Sequence, residues 1–206
     1  MYKTIAETGE FEQVINKSTF IARAFAVKSP EEAVQIVQAE RKRYPDARHC
    51  CWAYVLGEDK SNLRYSDDSE PQGTAGQPIL QVILKKDITN VLVTVTRYFG
   101  GILLGAGGLT RAYSSSAAGA IDATGIKTMV LSSKATVCLD YTTFSKIQNT
   151  VEKSDYIKIE SIEYLEGVTL HLIVQSEDFP RLLADFTQFT LGKSLPKETE
   201  KLFLPW

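Results

Sequence analysis

Histidine and cysteine are scarce in this sequence, positive charge is not in surplus, and long hydrophobic runs are absent. Its 206 residues include two histidines and three cysteines, and the formal net charge at pH 7 is -2. A metallopeptidase would need histidines or carboxylates at ligand spacing, and the two histidines, His49 and His171, lie far apart in the sequence. The charge excludes a general attraction to nucleic acid, so such binding needs a local patch. With neither an apolar signal core nor a membrane-spanning run, we expect a cytoplasmic protein without a membrane partner.

The odd number of cysteines argues against a disulfide framework. Cys50 and Cys51 are adjacent in a strand-like apolar run, and Cys138 lies far along the chain. We expect buried, reduced thiols, with a reactive thiol as the alternative. His49 precedes Cys50 and suggests a Cys–His nucleophile pair. Neighbours in a strand point to opposite faces, however, and this disfavours direct pairing.

The first part of the chain alternates strand and helix patterns. A capping box of Ser29 and Glu32, with Pro30 in the first turn, starts a helix that Pro45 ends. The other predicted elements of this part are strands at Glu10–Val27, Cys50–Leu56, Leu63–Tyr65 and Asn90–Tyr98, and helices at Ile79–Leu84 and Gly108–Thr124.

From Lys134 onward the pattern is strand, helix, strand, strand, helix, strand. This is the order of a ferredoxin-like βαββαβ domain, and the predicted fold class is α+β. The polar pair Ser132 and Ser133 marks the junction, which gives domains at residues 1–132 and 133–206. Residues 134–206 contain 8 basic and 11 acidic side chains and so carry a charge of -3. The acidic second domain is a candidate surface for a protein partner.

Five glycines lie between two arginines in the connection from a valine-rich strand to a small-residue helix. They are Gly100, Gly101, Gly105, Gly107 and Gly108. Glycine is used where the backbone adopts positive φ or approaches another group closely. Amides at a helix start favour anions, through their unpaired donors and the helix dipole. This connection therefore predicts an anion-recognition surface flanked by Arg97 and Arg111.

Regular alternation places Arg97 on the valine face of its strand, at the strand's exit. A guanidinium stays charged and needs carboxylate, phosphate or carbonyl partners. Two interpretations remain open. Arg97 either forms a structural pair with the acidic turn, through Asp67, Asp68 or Glu70, or it lies over a bound anion.

Arg111 falls in the first turn of a helix that the pattern starts near Gly108. A cation there opposes the helix dipole, by about 0.3–1 kcal/mol when exposed. We expect a compensating negative group, either an acidic segment of the protein or a ligand phosphate or partner carboxylate. Gly105 and Gly107 have the first spacing of a dinucleotide-binding motif, but residue 110 is threonine, and no P-loop follows.

The acidic turn of Asp67, Asp68 and Glu70 is the one cluster of carboxylates that suits a hard cation such as Mg²⁺. Its spacing matches no calcium loop, and acidic residues in such a turn are commonly solvated or paired with arginine. We therefore expect no metal and no cofactor, with a Mg²⁺ site as the alternative.

Four segments, in this order and spacing, carry a resemblance beyond these general patterns. They are Tyr65–Ile79 (YSDDSEPQGTAGQPI), Asn90–Val91, Arg97–Gly105 (RYFGGILLG) and Ala106–Tyr113 (AGGLTRAY). Together they resemble the IMPACT/YigZ family, whose bacterial members join an IMPACT-type domain to a small ferredoxin-like domain. The resemblance spans essentially the whole chain.

The resemblance implies an N-terminal fold like domain 2 of ribosomal protein S5 and domain IV of elongation factor G. It implies a C-terminal fold like domain V of that factor, and no established enzymatic activity. Eukaryotic relatives restrain amino-acid-starvation signalling by competing for an activator of the starvation kinase, a partner that the resemblance does not carry over to this chain.

These observations lead to the hypothesis of a non-catalytic protein that binds RNA or the ribosome, with a role in translation regulation or stress response. Phosphate would be contacted by Arg97, Arg111 and the amides of the second glycine cluster, which is Gly105–Gly108. Thr74 would add a hydroxyl. Tyr98 and Phe99 would stack on exposed bases or pack in the core.

Two alternatives belong to other functional classes. One is an enzyme that acts on a phosphorylated small molecule or peptide at the glycine-rich connection, with Asp67 or Asp68 as base or metal ligand. The other is a protein–protein interaction module that uses the acidic second domain.

Overall fold

The computed structural model describes residues 1–206, which form two compact units. One unit comprises Tyr2–Thr128, and the other comprises Met129–Trp206 with Met1. Each unit has its own hydrophobic core. None of the helices has the length and apolar character needed to cross a membrane.

The first unit is built on a five-stranded antiparallel sheet with the strand order β2-β3-β6-β4-β5. Its elements are β1 (Tyr2–Ile5), β2 (Gly9–Ile15), β3 (Ser18–Ala26), α1 (Pro30–Arg43), β4 (His49–Leu56), β5 (Asn62–Ser66), α2 (Gly76–Lys85), β6 (Val91–Tyr98) and α3 (Gly105–Asp122).

The central strand β6 explains the layering of this unit. Side chains alternate across a strand, so Val93 and Val95 join the core beneath α2 and α3, whereas Leu92 joins the core beneath α1. Arg97 shares the parity of Val93 and Val95, as the sequence predicts. Its guanidinium accordingly lies on the side of the sheet that α3 covers, near Tyr113 of that helix.

The predicted start of α1 is confirmed, but only the Ser29 half of the predicted capping box is present, because the Glu32 carboxylate bonds the amide of Lys28 and not that of Ser29. The amide of Glu32 donates to Ser29 Oγ at 3.2 Å, and the Glu32 carboxylate accepts from the amide of Lys28 at 2.7 Å. The single strand predicted for Glu10–Val27 is wrong, because Asn16 and Lys17 form a tight turn with φ of 46° and 63°. That turn joins β2 and β3 into a hairpin.

The second unit follows the βαββαβ order of a ferredoxin-like fold. Its elements are β7 (Ile126–Leu139), which begins in the first unit, α4 (Tyr141–Glu152), β8 (Lys158–Tyr164), β9 (Val168–Gln175), α5 (Phe179–Thr190) and β10 (Lys197–Pro205). Within this unit the strands pair in the order β10-β7-β9-β8, and every pairing is antiparallel. The predicted α+β fold class is confirmed.

The polar pair Ser132 and Ser133 is not a junction. Both serines lie inside β7 and are fully buried. Ser133 Oγ bonds Glu198 at 2.6 Å and Ser176 at 2.8 Å, and Ser132 Oγ accepts from the Trp206 indole at 2.8 Å. Their polarity serves hydrogen bonds within the unit, so a polar pair in the sequence does not mark a break in the strand.

Candidate functional site

Arg97 is held in a buried ion pair. Its Nη1 lies 2.7 Å from Glu70 Oε1, and its Nη2 lies 3.4 Å from Ser18 Oγ. The side chains of Arg97 and Glu70 are 6% and 3% exposed. Of the two interpretations left open by the sequence, the observed one is the structural pair between Arg97 and the acidic turn, formed with Glu70. Arg97 therefore does not present a free charge to a phosphate.

Tyr113 completes this buried cluster from α3. Its hydroxyl donates to the same Glu70 oxygen at 2.8 Å, and its ring meets Phe20 edge-on with centroids 5.4 Å apart. Burial, followed by the neighbouring Cys51 and Glu70, raises the pKa of Tyr113 far above its usual range. Tyr113 is therefore a neutral donor that helps Arg97 to fix the Glu70 carboxylate.

His49 lies opposite Arg97 in the β4–β6 pairing. Its Nδ1 is 2.9 Å from the carbonyl oxygen of Asp68. A carbonyl only accepts, so Nδ1 carries the proton in that contact. The other ring nitrogen, Nε2, is 4.0 Å from Glu70 Oε1. A neutral His49 therefore turns an acceptor nitrogen toward the buried carboxylate cluster.

The two adjacent cysteines are buried free thiols, as predicted, whereas Cys138 is exposed, contrary to the prediction. Burial raises the pKa of Cys50 to about 11 and raises the pKa of Cys51 further. The Cys51 thiol donates to the carbonyl of Asp67 at 3.0 Å. Both groups are protonated at neutral pH, which is unsuited to nucleophilic catalysis.

The carboxylates of the acidic turn are occupied by donors of the protein itself. Asp67 accepts from the amides of Gly73, Ala75 and Gly76 at 2.8–3.0 Å and so fixes the turn that enters α2. The Asp68 carboxylate accepts from Arg41 at 2.5 Å and from the Cys50 amide at 2.7 Å. No three His, Cys, Asp or Glu side chains are grouped to hold a metal ion. The alternative of an enzyme takes Asp67 or Asp68 as base or metal ligand, and in the structure both carboxylates are bonded to donors of the protein.

Gly100, Gly101 and Thr74 have structural roles in the fold. The amide of Gly100 donates to Ser18 Oγ at 3.1 Å, and a Cβ at Gly100 would lie 2.0 Å from the carbonyl group of Lys17. Gly101 has a φ of 84°. Thr74 is buried, and its hydroxyl donates to the carbonyl of Pro71 at 2.6 Å. This internal bond uses the hydroxyl proton of Thr74, which is therefore not free to be donated to a ligand.

The second glycine cluster begins helix α3, three residues before the predicted start. The helix starts at Gly105 with Leu104 as its N-cap, and no side chain caps its first amides. Gly105 and Gly107 are exposed, and Gly108 is half-buried. The exposed first turn therefore offers unpaired backbone donors and the positive end of the helix dipole.

Arg111 consequently lies in the second turn of α3, not the first. Side chains on a helix point back toward its N-terminus, and Arg111 Nη1 lies 3.6 Å from the position that a Cβ on Gly107 would take. Arg111 is exposed and has no ion-pair partner in the structure. Its charge thus lies beside the uncapped first turn with no internal anion to offset it.

A cavity of about 350 Å³ opens beside this first turn. Its apolar lining comes from Pro71, Phe99, Leu103, Leu104 and Leu109, and its polar lining from Arg48, His49, Glu70 and Arg97. Phe99 is 44% exposed, and Tyr98 is half-buried. Gly105 and Ala106 bring the start of α3 to the same cavity.

Arg48 and His49 belong to this site, although the sequence pattern does not assign them to it. Arg48 is exposed and makes no ion pair, unlike Arg41, which pairs with Asp68. The pairing of β4 with β6 places these two residues at the site, because it sets His49 opposite Arg97. That register is a tertiary feature, which local spacing in the sequence does not reveal.

Comparison with known proteins gives consistent matches. The Impact N-terminal domain matches residues 16–121. The IMPACT family member YvyE of Bacillus subtilis is 38% identical over 203 residues, which cover 98% of this chain and 93% of that protein. The IMPACT family member YigZ of Escherichia coli is 34% identical, with coverage of 86% and 89%. A solved structure described as that of a hypothetical protein aligns over 97% of both chains, with 31% identity and a TM-score of 0.62.

Proposed function

This chain belongs to the IMPACT family, and from that membership we propose that it is a non-catalytic regulator of translation. In this proposal it binds RNA, free or within the ribosome, through one surface of the first unit. We call this the α3 surface and define it by Arg48, Phe99, Gly105–Gly107 and Arg111. A function in the cytoplasm and in the stress response is part of the same proposal.

The observation that carries the proposal is the unpaired charge of Arg111 beside an uncapped helix start. Arg111 and the free amides of the first turn both favour a negative group, and the protein provides none there. Exposed Arg48 lines the cavity at the same helix start and adds a second unpaired cation. Phosphate oxygens suit this arrangement because they accept charge-assisted bonds from guanidinium and amide groups.

The remaining residues of the sequence hypothesis take supporting roles in this proposal. Arg97 and Gly100 shape the surface through Glu70 and Ser18, and do not contact phosphate directly. Half-exposed Phe99 is the aromatic side chain available for stacking on a base. The direct contacts with RNA are thus assigned to Arg48, Arg111 and the helix amides.

An enzyme is supported less well by the geometry. A general base must reach the proton it removes, whereas Asp67 and Asp68 are bound to backbone amides and Arg41.

The second alternative is a protein partner on the acidic second unit. In that unit, several acidic side chains are paired with cations, as in Lys134 with Glu160 and Arg181 with Asp155. No observation there favours a protein partner over RNA.

Fluorescence anisotropy with a labelled single-stranded RNA tests the proposal. The affinity should fall as salt rises, and Arg111→Ala should weaken it by about 5–10-fold, because one charge-assisted contact is lost. Arg64→Ala is the matched control, since Arg64 is an exposed arginine on the edge strand β5. Binding that responds neither to salt nor to Arg111→Ala would refute the proposal.

Purification from cells before and after nuclease treatment separates RNA from protein partners. Ribosomal proteins that remain bound after the RNA is digested would indicate direct protein contact. Their release by nuclease would support RNA as the ligand.

A further inference from the structure

The cavity beside α3 contains polar groups that the fold does not satisfy. Arg48 lines the cavity, is exposed and makes no ion pair. His49 has its Nδ1 on the carbonyl of Asp68, which leaves Nε2 as an acceptor in the neutral ring. The cavity therefore suits a ligand that brings its own acceptors and donors.

The walls of the cavity impose a second requirement. Phe99, Leu103 and Leu104 give the cavity an apolar lining, and Phe99 is only partly covered, with Arg97 over its ring at 5.5 Å. The volume of about 350 Å³ is within the range of small-molecule sites. A phosphate alone would leave this apolar lining empty, whereas an aliphatic side chain would leave Arg48 and His49 Nε2 without partners.

We propose that the cavity receives one unstacked base of a nucleotide, whose phosphate lies at the exposed amides of Gly105 and Ala106. A base is planar and apolar on its faces, and it carries donors and acceptors along its edge. Its faces suit Phe99, and its edge offers a partner to His49 Nε2. The uncapped α3 and Arg48 favour the phosphate.

This inference rests on the proposed function, because it names the part of an RNA chain that the α3 surface would hold. The same chemistry is found in a free mononucleotide. The test therefore includes both sources of the nucleotide.

Isothermal titration of the full-length protein compares the four nucleoside monophosphates with ribose 5-phosphate, which has the phosphate and sugar but no base. At least one nucleotide should bind about 10-fold more tightly than ribose 5-phosphate, on the scale of base–aromatic stacking. An RNA tetranucleotide that binds more tightly than any monophosphate identifies RNA as the source. Equal affinities of the tetranucleotide and the preferred monophosphate identify a free nucleotide as the ligand.

Ala106→Phe places a ring at the cavity from an exposed helical position that is outside the core. It should reduce the affinity of the preferred nucleotide to that of ribose 5-phosphate. Thr110→Phe, on the next turn of α3 and outside the cavity, is the matched control and should bind as the wild type does. Phe99→Leu is a second variant, which keeps an apolar side chain and should also remove the preference for the base.

No preference for any nucleotide over ribose 5-phosphate, or wild-type nucleotide binding by Ala106→Phe, would overturn the inference. If RNA binding were then still sensitive to salt and to Arg111→Ala, only the base site would be wrong, and the proposed function would stand. If a monophosphate were preferred while RNA did not bind, the base site would stand and the proposed function would fail.

Discussion

Glu70 and Arg97 form a buried ion pair across 27 positions of the sequence, with Glu70 Oε1 2.7 Å from Arg97 Nη1. Glu70 comes from the turn before α2, and Arg97 is the second-last residue of β6. The pair therefore joins the acidic turn to the glycine-rich connection, the two segments that are most distinctive in the sequence. Both segments act as one structural unit beneath the α3 surface.

Removing Arg97 should destabilise the first unit strongly. Arg97→Ala leaves the Glu70 carboxylate buried without its cation, and breaking a buried pair on one side costs about 3–5 kcal/mol. Urea unfolding followed by circular dichroism measures the loss. Arg111→Ala is the matched control, and its free energy of unfolding should stay within about 0.5 kcal/mol of the wild type. Equal losses in the two variants would contradict the buried-pair interpretation.

Two glycines of the motif should respond to alanine in opposite directions. Gly107 is in an exposed helical turn, where a Cβ meets only Arg111 Nη1 at 3.6 Å, so Gly107→Ala should stabilise the protein by about 0.5–1 kcal/mol. At Gly100 a Cβ would lie 2.0 Å from the Lys17 backbone, so Gly100→Ala should destabilise it by about 1–3 kcal/mol. Thermal unfolding of both variants measures the two effects. The same sign of change in both would show that the close contact at Gly100 is not maintained.

Strand alternation and capping chemistry were sufficient to predict much of the fold. Alternation in β6 places Arg97 on the face of Val93 and Val95, where its pairing with the acidic turn is one of the two predicted outcomes. The side-chain cap of Ser29 fixes the start of α1 in the same local way. Such features depend on residues that are close in sequence, so the spacing of these residues is enough to predict them.

Other features were beyond local patterns. The sequence predicts the start of α3 at Gly108, whereas the helix begins at Gly105. Gly105 and Gly107 are poor helix formers, so the sequence gives little sign of a helical turn there. Ser132 and Ser133 looked like a junction because their hydrogen-bond partners lie far along the chain. The contribution of Arg48 to the cavity depends on the β4–β6 pairing, which long-range contacts determine.

The three thiols should differ in reactivity toward a disulfide reagent such as Ellman's reagent. Cys138 is exposed and should react rapidly in the native protein, whereas Cys50 and Cys51 should react only after unfolding. Burial raises the pKa of Cys50 from 9.0 to about 11, so its thiolate is a minor species at neutral pH. Cys138→Ser should remove the rapid phase. More than one rapidly reacting thiol in the native protein would contradict the burial of this pair.

The raised pKa of Cys50 also has a consequence for stability. The unfolded chain loses the thiol proton near pH 9, whereas the folded protein keeps it until about pH 11. The folded state therefore binds more protons in this window, and the free energy of unfolding should decrease as pH rises through it. Urea unfolding at several alkaline pH values measures the slope, and Cys50→Ala should make it shallower. An unchanged slope in that variant would contradict the assignment to Cys50.

Asp67 should act as a structural cap and not as a metal ligand. Asp67→Ala removes the acceptor of three backbone amides and should destabilise the protein by about 2–3 kcal/mol, since bonds to a charged group are lost. Asp67→Asn keeps one oxygen acceptor and should lose less. Thermal unfolding with and without MgCl₂ provides the second measurement. A midpoint that rises with Mg²⁺ in the wild type but not in Asp67→Asn would contradict the structural role.

The salt dependence of RNA binding should count the cations that contact phosphate. For single-stranded nucleic acid the slope of log affinity against log salt changes by about 0.7 for each phosphate neutralised. Arg48→Ala and Arg111→Ala should each reduce the slope by about that amount, and the double variant by about twice as much. Anisotropy titrations over a series of salt concentrations measure these slopes. Arg41→Ala is the matched control, because Asp68 already neutralises Arg41, and its slope should equal that of the wild type. If the loss of affinity caused by Arg48→Ala or Arg111→Ala is the same at every salt concentration, that arginine does not contact phosphate. The contribution of an ionic contact becomes smaller as salt rises, so its loss would change the slope.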